Sequence, residues 1–235
     1  MKRRAAALFT ILLAWSAMAS AASQQQLLPK LETALAADPN DMKAANEYRK
    51  AVIQAGEYDR AIEFFKKLVT DHPEAAYAWL NYGYAYVDKI PAAGSITQVI
   101  LANTALTNFT KSIELERSWI ALFTRGNSYL YWPKIFGRGP LAVTDLEEAV
   151  AISKKGPQKK VYARAWIALG DAYWRTDQPD KAKATWKEAL ALFPGEPQLE
   201  ARLARDGEAL EQYIYEQLDP SKRVDTNLAP LWEEP

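Results

Sequence analysis

The sequence predicts an all-α solenoid built from antiparallel helix pairs. Three observations predict it. A spacing of small and aromatic residues returns four times along the chain. Prolines stand where the second helix of a pair should stop, since proline lacks the N–H donor and restricts the residue before it. There is no cysteine, so packing alone must hold the fold, and eight Trp, twelve Tyr and seven Phe supply the large side chains for it.

The N-terminus carries a compartment signal. Lys2, Arg3 and Arg4 precede an apolar stretch from Ala5 to Trp15, and small residues follow at Ala17-Met18-Ala19 and Ala19-Ser20-Ala21. That order is the signature of a secretory signal peptide over residues 1–21. The apolar stretch is short for a bilayer crossing, and an uncleaved anchor is the competing reading. Arg3-Arg4 lacks the surrounding twin-arginine consensus, and no Cys follows to take a lipid. The expectation is a secreted protein of the bacterial periplasm with no stable membrane insertion after signal removal. Without the three early cations, the 29 basic residues fall to 26 against 29 acidic ones. Such a balance gives no electrostatic footprint for nucleic acid.

The repeat is clearest from Trp166 onward: Trp166, Leu169-Gly170, Tyr173, then Ala182, Trp186, Ala189 and Pro194. Upstream, Trp79, Tyr82-Gly83 and Tyr86 give the same first half, followed by Ala105, Phe109 and Ser112. A third unit has Leu122, Arg125-Gly126 and Tyr129, then Ala142, Leu146 and Ala149. The first unit is degenerate in its first helix (Ala45, Tyr48, Arg49, Val52) and clear in its second, with Ala61, Phe65, Leu68 and Pro73. The glycines and alanines are small where two helices must approach closely, and the large residues fill the space left. This spacing resembles the tetratricopeptide-repeat (TPR) family. The resemblance implies a right-handed solenoid of about four units over residues 22–218. A half-repeat at 24–37 and a C-terminal capping helix at 198–218, with Arg202 on its charged outer side, complete it. An extended tail runs over 219–235.

Departures from the plain array give this chain its individuality. Gly83 to Ala105 spans 22 residues and Gly126 to Ala142 spans 16, against 12 from Gly170 to Ala182. Residues Lys89 to Gly94 should form the longer loop, with Ser95 capping a long helix over about 96–115. Pro140 should open the helix after the second insertion. Lys154 to Lys160 reads as a solvated basic linker. Trp132, Ile135 and Phe136 make the 131–140 segment apolar where such turns are usually polar. Either it presents a binding surface or it folds back as a satellite cluster.

Catalytic chemistry is not predicted. His72, the one histidine, precedes Pro73 and should serve a helix end. Gly137-Arg138-Gly139 is no dinucleotide fingerprint, and a zinc site would lack its usual ligands. Asp145, Glu147 and Glu148 are expected to offset a helix macrodipole. No enzyme activity, cofactor or metal is expected.

The family resemblance implies a concave groove lined by the first helix of each pair. It places Lys43, Asn46 and Lys50 there from unit one. Tyr77, Leu80, Tyr84 and Asp88 come from unit two, Phe123, Asn127 and Tyr131 from unit three, and Arg164, Ile167, Trp174 and Arg175 from unit four. Trp132 and Phe136 join this set from the insertion as candidate partner-binding residues. The order of Asn46 and Lys50 departs from the clamp that chaperone-binding relatives use for a C-terminal carboxylate. An aromatic groove suits an extended peptide or an amphipathic helix. Leu228 to Trp232 is itself a plausible groove ligand, and the tail either docks there or leaves the groove open. The expected function is a periplasmic protein–protein interaction scaffold assisting an envelope complex. A small-ligand carrier or transport accessory is the alternative.

Overall fold

The computed structural model describes residues 26–220 and 224–232, so the signal-peptide reading of 1–21 lies outside the described residues. The described chain is helical throughout, with no strand among these residues. Helix α1 covers 26–37, the expected half-repeat. Four antiparallel pairs follow: α2 (Met42–Ala55) with α3 (Tyr58–Asp71), α4 (Ala76–Lys89) with α5 (Ser95–Leu115), α6 (Trp119–Leu130) with α7 (Gly139–Ser153), and α8 (Ala163–Arg175) with α9 (Pro179–Leu192). Two short helices, α10 (Pro197–Leu203) and α11 (Gly207–Gln217), cover the last pair. None of the described helices is long and apolar enough to cross a membrane.

Local chemistry sets the helix ends. The Asp41 carboxylate accepts the backbone N–H groups of Lys43 and Ala44 at the start of α2, offsetting two of the orphan donors. Gly56, at φ +70°, closes the same helix in the left-handed region that glycine enters without a Cβ clash. Helices α3 and α9 stop two residues before Pro73 and Pro194. Pro140 lies in the first turn of α7.

The repeat spacing is explained by close approach. A Cβ on Gly170 would lie 2.0 Å from Trp186, one on Gly83 2.3 Å from Phe109, and one on Gly126 2.8 Å from Leu146. In these three pairs the large residue of the second helix therefore nests on the glycine of the first. Stacking yields two apolar clusters that meet at α4. One runs from Leu28 to Ala85, and the other holds Leu80 and Tyr84 and continues to Leu228.

Several local expectations are corrected. Ser95 is the first residue of α5 rather than its cap; Gly94 precedes it and no side chain caps that end. Residues Ile90–Ala92 form a 3-10 turn, and the Gln98 amide donates to the carbonyls of Ile90 and Ala93, so the segment is not an open loop. The C-terminal cap is two helices because Asp206 caps a new start and Gly207 sits at φ +51°. Arg202 is buried and forms a two-pronged pair with Asp171 at 2.6 and 2.7 Å, instead of facing solvent. His72 ends α3 through its backbone N–H, which donates to the Leu68 carbonyl.

The α7 acids bridge helices rather than serving the dipole. Asp145 takes both prongs of Arg125, Glu148 pairs with Arg117, and Glu147 accepts the Tyr173 hydroxyl. Arg117 holds the Glu148 carboxyl below the usual carboxylate range. The basic linker is solvated as expected, every residue from 154 to 160 being exposed, and Lys154 pairs at the surface with Glu188 and lies 4.6 Å over the Trp166 ring.

Candidate functional site: a groove occupied by the chain's own tail

The groove is built around Arg49. This residue stands in the slot that glycine fills in the other three units, and it is buried. A buried guanidinium must find partners for its donors or destabilise the fold. Its Nε donates to Asn81 at 3.1 Å, and one terminal nitrogen pairs with Asp88 at 3.0 Å. The other donates to the Thr226 carbonyl at 2.7 Å. Its guanidinium also lies 4.5 Å over the Tyr84 ring. Burial pushes the Tyr84 phenol up to about 12, against the opposing pull of the Thr124 hydroxyl bond and of Arg49.

Thr226 belongs to the tail, which crosses the face formed by α2, α4, α6 and α8. The grip on it is shared evenly between its backbone and its side chains. The Asn46 side-chain Oδ1 accepts the Leu228 N–H at 2.8 Å, and its Nδ2 donates to Asn227 Oδ1 at 3.1 Å. The Thr226 hydroxyl donates to Asp88 at 2.5 Å. Leu228 is only 4% exposed, and with Pro230 and Leu231 it faces Tyr84, Trp119, Ile120 and Phe123. At the edges, Arg164 pairs with Asp225 at 3.2 Å and Lys159 donates to the Leu231 carbonyl at 3.1 Å. Lys43 lies 5.9 Å from the Trp232 ring. An open cavity of about 300 Å³ remains beside the tail, walled by Asn46, Arg49, Lys50 and Ile53.

The candidate residues thus divide into groups. Tyr84 and Phe123 are brought together beneath the tail. Leu80 is fully buried in the core and offers no free surface. Tyr77 is half-buried, its hydroxyl donating to Glu116 at 2.5 Å. Burial raises the pKa of the Tyr131 hydroxyl, against an opposing influence of Asn127. Ile167 and Trp174 pack partly buried against the core, and Arg175 donates to the Trp132 carbonyl at 2.9 Å.

Trp132 and Phe136 meet edge to face at 5.7 Å, and Arg138 stacks 3.6 Å over Trp132. Trp132 is folded back, whereas Ile135 and Phe136 remain 90% and 59% exposed. The 131–140 segment is therefore folded back at Trp132 and exposed at Ile135 and Phe136.

The decisive residues Arg49, Asn46 and Asp88 were legible only as a charged side chain in a glycine slot and two groove polar positions. Thr226 to Leu228 carried no signal beyond the apolar end of the tail.

Comparison with known proteins agrees with this architecture. Tetratricopeptide-repeat models match residues 19–81 and 163–206. Among solved structures, a thermophilic TPR protein of Thermus thermophilus is similar at 22% identity and TM-score 0.56, covering 83% of this chain and 95% of that one. MamA is similar at 22% identity and TM-score 0.53, covering 74% of this chain and 91% of the other. No curated protein matches the sequence. Repeated glycine-on-aromatic nesting, four stacked helix pairs and the two matching repeat models identify the chain as a member of the tetratricopeptide-repeat family.

Proposed function

We propose that this protein is an exported interaction scaffold whose groove takes an extended segment of a partner protein, with its own tail as the resident occupant. One observation carries the reading. Asn46 and Arg49 bond to backbone groups of a segment 182 and 177 residues away in sequence. Backbone recognition is indifferent to most side chains, so a segment from another chain can take the same bonds. Selectivity then comes from the Thr226 hydroxyl on Asp88 and from the apolar seat of Leu228. A partner either displaces the tail or lies beside it in the open cavity.

The N-terminal sequence supports a periplasmic setting, and help in assembling an envelope complex is the role that fits such a scaffold there. A photo-crosslinking residue at Phe123, in cells exporting the protein, tests both parts. The expected result is a shortened chain in the periplasmic fraction, crosslinked to a second protein more strongly when the chain ends at Pro220. Absence of any crosslink in either form counts against the groove. A full-length chain retained in the cytoplasm counts against the location.

A further inference from the structure

Two departures from the plain repeat meet at one place. The first is the 3-10 turn after α4 with the overlong start of α5; the second is the segment 131–138. Between them lies a cleft of about 510 Å³ whose walls include Val87, Ile90, Ala102, Leu106, Phe109 and Trp132. This falls within the range of about 300–1,000 Å³ typical of small-molecule sites. It suits a chain-like ligand better than a helix about 10 Å across. Three of the polar side chains that reach it are engaged with backbone carbonyls, and Ser95 is exposed at its edge. Gln98 serves the carbonyls of Ile90 and Ala93, Ser128 that of Thr124, and Asn103 that of Val99. The tail borders it at Pro220 and Val224.

One cation stands in the wall. Arg138 lies over Trp132 and donates to Asn103 at 2.8 Å, and it pairs with no carboxylate among the described residues. Partial burial pushes its pKa down, the mark of a desolvated charge. Arg175 bonds the Trp132 carbonyl and likewise pairs with no carboxylate among these residues. Both arginines line a second cavity of about 300 Å³ that shares Trp132, Pro133 and Arg138 with the cleft. An apolar cleft beside an uncompensated guanidinium is complementary to a molecule with one long apolar arm and one anionic end.

We propose that this cleft binds a single-chain amphiphile with a carboxylate head, a long-chain carboxylic acid, its chain along α5 and its carboxylate on Arg138. The site adjoins the groove at Val224 but uses none of Asn46, Arg49 and Asp88, and it stands whether or not the groove takes a partner. Val99 and Phe136, 50% and 59% exposed, form its apolar rim.

The test is calorimetric titration of the full exported chain with dodecanoate below its micelle concentration, and with dodecanol. Dodecanoate should bind saturably, one per chain. Ala102→Trp, which fills the cleft, should abolish this. Arg138→Met should weaken dodecanoate at least about ten-fold, the scale of a lost charge-assisted contact, and leave dodecanol within about two-fold. Val99→Glu, on the half-exposed rim, should also weaken dodecanoate, and it carries the test if Ala102→Trp does not fold. Non-saturable uptake, full binding by Ala102→Trp with a wild-type melting curve, or equal loss of both ligands in Arg138→Met would overturn the proposal. So would vesicles or a partner protein binding this face with no uptake of dodecanoate.

Discussion

Arg49 shows how one side chain links fold to groove. It joins Asn81, Asp88 and the Thr226 carbonyl, with Asp88 as its buried counter-charge. Removing one member of such a pair leaves the other desolvated and alone, at a cost of about 3–5 kcal/mol, whereas replacing both costs far less. Arg49→Met should therefore lower stability to denaturant by about 3 kcal/mol, and Arg49→Met with Asp88→Leu should recover much of it.

The tyrosines report on the same packing. Tyr77, Tyr84 and Tyr173 are each pushed up to about 12, with burial the largest cause. Their unfolded value is about 10. A raised folded pKa means the folded state holds the proton more tightly. That stabilisation is complete below about pH 10 and is lost as pH rises toward 12. Melting temperature should stay level up to pH 10 and then fall, and phenolate absorbance should appear together with unfolding.

At the level of helix pairs, nesting on glycine is the rule that the spacing encodes. Gly170→Ala puts a methyl group 2.0 Å from Trp186, so overpacking should cost about 1–3 kcal/mol and disturb the near-ultraviolet dichroism of that ring. Gly156→Ala, with nothing within 4 Å, should be close to neutral in the same melts. The pairs were legible because nesting is local, with glycine and aromatic residue a short distance apart in sequence. The break between α10 and α11 was not, since an apolar spacing continuing through Leu199, Leu203, Leu210 and Ile214 hides the turn at Asp206 and Gly207. Arg202 was misread for a related reason: it looks like any surface arginine until α10 folds over Asp171.

Over the whole molecule, the tail changes the character of the array. A plain solenoid couples only neighbouring units. Here Thr226 and Leu228 return to Arg49 and Asn46, tying the C-terminal end to the first pair. Sequence suggested Leu228 to Trp232 as a groove ligand, but a contact of 177 residues' separation leaves no trace in any local pattern, which is why the bond from Arg49 to Thr226 was not legible. The tie should make unfolding more cooperative. In a chain ending at Pro220, hydrogen exchange in α2 and α3 should quicken ahead of α8 and α9, and in the full chain the two regions should exchange more nearly together.

The same geometry makes a direct binding experiment possible, because a tethered tail works at a high effective concentration that a free peptide cannot match. A synthetic peptide of residues 224–232 can be titrated into the chain ending at Pro220 and into the full-length protein. The groove account predicts saturable one-to-one binding to the shortened chain, lost with Asn46→Ala, and no measurable binding to the full-length protein. Failure of the peptide to bind the shortened chain, or equal binding to both forms, would contradict it.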